Sequence, residues 1–196
     1  MDAVTAAFQA VPREGFLPEG ARHRASHDGP IAIGHGQTNS QPRTVADMLR
    51  LLDVHPGQRV LDVGAGSGWT TALLGHLVGP EGLVVGVEVV PELAAWGEEN
   101  VRRTSYGWAS VREPEPGVLG DPRQAPYDRI LVSAEASRFP HELAGQLADP
   151  GRMVLPVAGR MTLLVRADGA DDVVVGGAYR FVPLVTSGSQ PGGPSR

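Results

Sequence analysis

A glycine-rich turn between a predicted strand and a predicted helix constrains the fold of this chain more than any other feature. The turn reads D-V-G-A-G-S-G at residues 62–68 and follows the short apolar run 59–63. It precedes residues 69–78, in which Leu73, Leu74 and Leu77 share one helical face. Glycine lets the backbone turn tightly and approach a ligand closely. A strand–turn–helix unit of this kind predicts an α/β fold with a ligand site at the turn.

The same alternation of strand and helix continues along the chain and predicts a mostly parallel sheet flanked by helices. Predicted helices begin at Pro42, with Val45, Met48, Leu49 and Leu52 on one face, and at Pro91. The predicted strands after the turn are 83–87, 108–112, 129–132 and 153–157, with a helix at 140–147. Segments 162–167 and 172–179 are typical of a hairpin, which adds an antiparallel part at the C-terminal end.

Three regions follow from this pattern. Residues 1–41 combine a short amphipathic helix, which Pro12 should end, with a loop-like stretch 13–41. We expect this stretch to be a functional loop for substrate and cofactor or to form a lid. Residues 42–185 form the ligand-binding domain. Residues 186–196 are polar and rich in Gly, Pro and Ser, which predicts a disordered tail.

Composition excludes several classes of function. The chain has 196 residues, no cysteine and a net charge of −5. Disulfides and cysteine nucleophiles are therefore excluded, and a dominant basic surface for nucleic acid or a membrane is not expected. The N-terminus lacks the pattern of a secretory signal, and no apolar run is long enough for a membrane helix. We expect a cytoplasmic protein that is a monomer.

The acids around the turn indicate the kind of ligand. Glu88 ends the next predicted strand, 20 residues beyond Gly68, where a carboxylate can accept both hydroxyls of a ribose. The spacing G-x-G-x-G differs from the dinucleotide pattern G-x-G-x-x-G, and Asp62 beside the turn would repel a diphosphate. A ligand with a ribose and a cationic centre fits better, and S-adenosylmethionine (AdoMet) has that character. The alternative is a tight turn without a ligand, which leaves Asp62 and Glu88 unexplained.

The run G-Q-T-N-S-Q-P at residues 36–42 carries a family resemblance. Together with V-P-R at 11–13, A-P-Y-D-R-I at 125–130 and P-G-R-M-V at 150–154, it resembles the protein-L-isoaspartate (D-aspartate) O-methyltransferases. That family typically reads G-Q-T-I-S-Q-P before its AdoMet motif. The resemblance spans about residues 11–185.

The resemblance implies a class I AdoMet-dependent methyltransferase fold and a substrate. Members methylate the misplaced α-carboxylate of an isoaspartyl residue in a damaged protein or peptide, and the ester then collapses to a succinimide. By motif match, Ser40 takes the place of the active-site serine, with Thr38 beside it. The expected cofactor-binding residues are Gln37, Asn39, Asp62, Gly64, Ala65, Gly66, Ser67, Gly68, Glu88, Val89, Pro116 and Gly117.

Three departures from the family pattern keep alternatives open. Asn39 stands where isoleucine is usual, Pro116 stands where an aspartate would hold the adenine (Glu115 could substitute), and Ser26 replaces a tyrosine. The first alternative is a tailoring enzyme that methylates an aspartate of one dedicated partner peptide. The second is a non-catalytic AdoMet-binding protein.

The histidines provide no predicted metal site. His23, His27 and His35 lie in one loop-like stretch, where Asp28 is the single clear acidic partner, so solvated histidines are expected there. His35 adjoins the run 36–42 and could touch a substrate.

Overall fold

The computed structural model describes residues 2–185. The helices are α1 Ala3–Ala10, α2 Pro42–Leu52, α3 Trp69–Val78, α4 Pro91–Arg102 and α5 His141–Ala144. The strands are β1 Ile31–Gly34, β2 Gln37–Asn39, β3 Arg59–Val63, β4 Leu83–Val87, β5 Ala109–Arg112, β6 Tyr127–Val132, β7 Leu147–Val157, β8 Arg160–Ala167 and β9 Ala170–Ala178. Three short 3₁₀ segments, Arg13–Phe16, Glu19–Arg24 and Pro122–Gln124, complete the elements of the described chain.

Seven strands form one sheet in the order β5-β4-β3-β6-β7-β8-β9. The five strands from β5 to β7 are parallel, and β8 and β9 extend the sheet as an antiparallel hairpin. The chain reverses its direction of travel across the sheet between β3 and β6, which places a crevice at the carboxyl ends of the central strands. The predicted mostly parallel sheet with an antiparallel C-terminal part is confirmed.

Apolar side chains cover both faces of the sheet. One core joins α1, α2 and α3 to the sheet and contains the predicted helical stripe Val45, Met48, Leu49 and Leu52, each at most 3% exposed. The other lies beneath α5 and contains Tyr127 and Leu143. Burial on both faces explains why β3, β4 and β6 appear in the sequence as continuous apolar runs.

The stretch 13–41 differs from its prediction as a loop. It contains two 3₁₀ segments and the antiparallel pair β1–β2, which joins Ile31 to Asn39. Periodicity did not reveal this strand pair because the strands have only four and three residues, too few to show an alternating pattern.

The segment 140–157 also differs. Helix α5 has only four residues, and β7 begins at Leu147 rather than near 153. Pairing of β7 with β6 and β8 extends the strand through Pro150, where the β6 register shifts. A proline removes one ladder donor, so the sequence alone argued against a strand there.

Among residues 2–185, no helix has the length and apolar character needed to cross a membrane. The predicted tail 186–196 lies outside the described residues.

Candidate functional site

Three adjoining clefts open at the carboxyl ends of β3, β4 and β6. The main cleft is bordered by the glycine turn, by Glu88 and by residues 182–185. A small inner cleft separates the turn from residues 38–40. An outer groove runs from Ser40 to α2 and to residues 178–182. Thr38 and Ser133 border all three, so they lie at the junction of the clefts.

The glycine turn combines positive φ angles with close packing. Gly64, Gly66 and Gly68 have φ of 80°, 52° and 82°, a region that favours glycine. A Cβ on Gly68 would lie 2.7 Å from the carbonyl oxygen of Gly97 in α4. Gly68 borders none of the three clefts described here, so its requirement for glycine comes from helix packing.

Glu88 is 6% exposed, and both of its carboxylate oxygens hold backbone donors. Oε2 accepts from the Gly66 N–H at 2.9 Å and Oε1 accepts from the Val90 N–H at 3.0 Å. These bonds fix the carboxylate at the edge of the main cleft, beside Val89. Each carboxylate oxygen keeps further acceptor capacity beyond these bonds.

Asp62 is completely buried beneath the turn and borders none of these clefts. Its Oδ2 accepts from the Thr71 hydroxyl at 2.7 Å, and the Ser133 hydroxyl lies 3.4 Å from Oδ1. Burial raises the pKa of Asp62 from 3.8 to about 6, although the hydrogen bond from Thr71 acts in the opposite direction. The structure therefore places this acid under the site rather than in direct reach of a ligand.

The segment Gln37–Gln41 forms the opposite wall and carries the predicted serine. Gln37 and Thr38 border the main cleft, and Ser40 borders the inner cleft and the outer groove. Asn39 is 5% exposed and its side chain points toward Arg13 and Ser67. The amide expected beside the serine is thus part of a buried hydrogen-bond cluster.

The predicted residues divide into two groups. Those that border the main or inner cleft are Gln37, Thr38, Asn39, Ser40, Gly64, Ala65, Gly66, Ser67, Glu88 and Val89. Asp62, Gly68, Pro116 and Gly117 border neither.

The loop after β5 approaches the main cleft through other residues than those expected. Pro114, Val118, Leu119 and Gly120 line it, whereas Pro116 and Gly117 are exposed. Glu115, considered as a substitute for the missing aspartate, forms an ion pair with Arg123. Alignment to the family pattern could not show this, because the bend of the loop decides which residues face inward.

Three further contributions come from residues outside the predicted set of site residues. Ser133 lies at the junction of the clefts, because β6 ends at Val132. Residues 182–185 return to the main cleft through hydrogen bonds of Val182 and Leu184 with the backbone of Glu135, at 2.7 and 2.8 Å. Arg13, noted only as part of a motif, is buried behind the Ser40 segment.

No group of three or more His, Asp or Glu among residues 2–185 could hold a metal ion. His35 borders the main cleft, consistent with its position beside the run 36–42.

Comparisons with known proteins place this geometry in a family. Residues 1–189 match the family model of protein-L-isoaspartate(D-aspartate) O-methyltransferase. A relative from Methanopyrus kandleri named protein-L-isoaspartate O-methyltransferase is 44% identical and covers 93% of this chain and 83% of its own. A relative of the same name from Aeropyrum pernix is 49% identical and covers 79% of this chain and 59% of its own.

Solved structures agree. A protein-L-isoaspartate O-methyltransferase superposes with a TM-score of 0.86 at 26% identity, covering 95% of this chain and 62% of that one. A putative member from Plasmodium falciparum, solved with S-adenosyl-L-homocysteine, gives a TM-score of 0.80 at 26% identity, covering 94% and 91%. The fold is that of class I AdoMet-dependent methyltransferases, as the sequence predicted. The chain belongs to the protein-L-isoaspartate (D-aspartate) O-methyltransferase family.

Proposed function

We propose that this protein transfers a methyl group from AdoMet to the α-carboxylate of L-isoaspartyl residues in damaged proteins or peptides, which leads to a succinimide and to repair. The observation that carries the proposal is the junction at Thr38 and Ser133. There the cleft that holds Glu88 and the glycine turn meets a groove that is open to solvent. The family relatives share the named activity and do not favour a dedicated partner peptide or a non-catalytic binding protein.

The main cleft fits AdoMet on its own geometry. Gly66 lies at its floor, where a Cβ would approach Ile33 Cδ1 to 3.2 Å and narrow the cleft. Glu88 is oriented for ribose hydroxyls, and Val89, Pro114 and Leu119 offer apolar surface for a flat base. The methionine part would lie against Gly64, Ala65 and Ser67. AdoMet supplies a methyl group on a sulfonium, which is an activated leaving group.

The substrate carboxylate needs no general base. A carboxyl group with a pKa near 4 is ionised at neutral pH and is therefore already nucleophilic. The task of the protein is therefore to align the carboxylate and to exclude water during an in-line transfer. We propose that the Ser40 hydroxyl orients one carboxylate oxygen, with Thr38 and the backbone N–H groups of the segment beside it.

The outer groove has the features of a peptide site. Its walls combine Ser40 and Thr44 with the aromatic side chains of Tyr179 and Phe181. The Tyr179 hydroxyl lies 3.3 Å from Asp47 Oδ2, which ties the C-terminal wall to α2. A groove held on both sides can bind an extended chain whose isoaspartyl side chain reaches Ser40.

Methyl transfer from labelled AdoMet to a short isoaspartyl peptide tests the proposal, with the normal aspartyl peptide as the matched control. We expect label only in the isoaspartyl peptide, as an ester that mild base removes. Equal labelling of both peptides, base-stable label, or binding of AdoMet without transfer to either would contradict it.

The oligomeric state, the localisation and the division of the chain into regions also belong to the proposal. We propose a cytoplasmic monomer, with residues 1–41 as the substrate and cofactor loop region and 42–185 as the methyltransferase domain. Light scattering of the purified chain tests the monomer, which a dimer mass at micromolar concentration would contradict.

A further inference from the structure

Arg13 holds the backbone of the Ser40 segment from behind. The residue is 6% exposed, and its Nη2 lies 2.9 Å from the carbonyl oxygen of Ser40 and 3.0 Å from that of Asn39. The same guanidinium donates to the carbonyls of His27 and Gly29 at 2.8 and 2.9 Å. One buried cation therefore gathers three separate points of the stretch 27–40.

Asn39 connects this anchor to the glycine turn. Its Oδ1 accepts from Arg13 Nε at 2.6 Å, and its Nδ2 donates to the Ser67 hydroxyl at 3.0 Å. Ser67 is 2% exposed, and its carbonyl accepts from Asn100 Nδ2 in α4 at 3.0 Å. The resulting row, Arg13–Asn39–Ser67–Asn100, spans from the N-terminal region to α4 behind the inner cleft.

The row joins the two walls whose spacing the reaction depends on. Ser40 belongs to the wall that would hold the carboxylate, and Ser67 belongs to the turn that would hold the methionine part of AdoMet. The acceptors of Arg13 are all uncharged oxygens, so the buried cation relies on their geometry rather than on a close carboxylate. An interaction of this kind tolerates little displacement, because a buried donor without its acceptor is costly.

We propose that Asn39, anchored by Arg13 and bonded to Ser67, is a positioning residue that sets the spacing between the Ser40 segment and the glycine turn. The proposal rests on the proposed function and adds a role to the position where this chain departs from the isoleucine of its family. Asn39 acts through Ser40 and Ser67 and does not need to touch the substrate. Its loss should lower kcat while leaving AdoMet binding nearly intact.

The test compares Asn39→Leu, which keeps the shape and removes both bonds, with Ser67→Ala, which removes only the acceptor. Since a misplacement of about 1 Å can cost about 10²-fold, we expect each variant to lower kcat by about 10-fold or more. In Asn39→Leu, whose side chain is 5% exposed and bonded away from the main cleft, the Kd of AdoMet, measured by calorimetry, should change by less than about threefold. The double variant should lose no more than Asn39→Leu alone, because both changes break one interaction.

Asn39→Asp supplies the conservative rescue. The Asp carboxylate can still accept a hydrogen bond from Arg13. It can also accept one from the Ser67 hydroxyl, which becomes the donor instead of the acceptor. We expect this variant to regain most of the kcat that Asn39→Leu loses. Ser105→Ala, which removes an exposed hydroxyl outside the row, controls for the loss of a serine.

Amide hydrogen exchange provides a readout that needs no substrate. Peptides covering residues 36–41 should exchange faster in Asn39→Leu and Ser67→Ala than in the parent chain. Multiplying losses in the double variant, an unchanged kcat, or losses confined to AdoMet affinity would overturn the proposal. If the parent chain itself fails to methylate the isoaspartyl peptide, the proposed function fails, while the exchange data still decide whether the row orders the segment.

Discussion

The glycine turn 62–68 and the segment Gln37–Gln41 face each other across the inner cleft, yet they are held in different ways. The turn is built locally, by a strand, three glycines with positive φ and the helix that follows. The segment is held by Arg13, from 26 residues upstream of Asn39, and by a bond to the turn itself. One wall of the site is thus encoded in consecutive residues, and the other depends on distant ones.

Arg13→Met should have the largest effect, because it removes the anchor on which only the Gln37–Gln41 segment depends. It leaves several buried carbonyl oxygens without a donor, and we expect a loss of about 3–5 kcal/mol in the free energy of unfolding. Urea unfolding measures this loss, and Arg24→Met, at an exposed arginine of the same region, should change it by less than about 0.5 kcal/mol. Similar values for both variants would show that the segment does not depend on this anchor.

Gly68→Ala tests how the other wall, the glycine turn, is held. Its Cβ would meet the Gly97 carbonyl at 2.7 Å, and its φ is 82°. The left-handed backbone and the collision together should cost about 3 kcal/mol. Gly57 has the same φ with open space around it, so Gly57→Ala isolates the backbone part and should cost only about 1 kcal/mol. Equal losses in the two variants would remove the argument from helix packing.

Ser40→Ala tests the chemistry of the segment without moving it, because Arg13 holds the carbonyl and not the hydroxyl of Ser40. We expect kcat for the isoaspartyl peptide to fall by about 10²-fold, as for the loss of one positioning donor. The Kd of AdoMet should stay within about threefold, since the turn is intact. An unchanged rate would exclude Ser40 from the reaction, and Ser105→Ala supplies the comparison.

Asp62→Asn tests, through the pH dependence of stability, what the buried acid beneath the glycine turn costs the fold. With a pKa raised to about 6, folded Asp62 retains a proton that the unfolded chain releases above its ordinary value of 3.8. Stability therefore falls as pH rises from about 4 to 6, and the full cost persists above that window. At about 1.4 kcal/mol per pKa unit, Asp62→Asn should gain about 3 kcal/mol at pH 8 and almost nothing at pH 4.

Unfolding of Asp62→Asn at those two pH values, beside the surface variant Asp172→Asn, measures the difference. A gain that is equal at both pH values would show that the burial of charge is not its cause. A gain that comes with weaker AdoMet binding would indicate that the buried carboxylate serves the cationic ligand at the expense of stability.

The sequence predicted well where local pattern and burial agree. The predictions are confirmed for β3, β4 and β6, for the apolar stripe of α2 and for the C-terminal hairpin. In these elements, burial on one or two faces produces a regular hydrophobic pattern in the sequence. The prediction was wrong for 13–41 and for the start of β7. In the first stretch, β1 and β2 pair with each other but have only four and three residues, too few to show a period. At the start of β7, Pro150 opposed the assignment of a strand.

The site residues also divide into those that local pattern predicted and those that it did not. The position of Glu88, Gly64 and Gly66 beside the main cleft could be predicted from spacing alone, because strand length and turn geometry fix where they fall. The orientation of Asn39 toward Arg13 and Ser67, the burial of Asp62, and the entry of Pro114 and Val118 in place of Pro116 depend on how loops bend over the sheet. The sequence by itself determined the fold class, the family and the ligand type, since these reside in short-range pattern and motif. Only the tertiary structure decided which polar groups are buried, paired and facing the cleft, because hydrogen bonds such as that between Arg13 and Asn39 join residues that no local period connects.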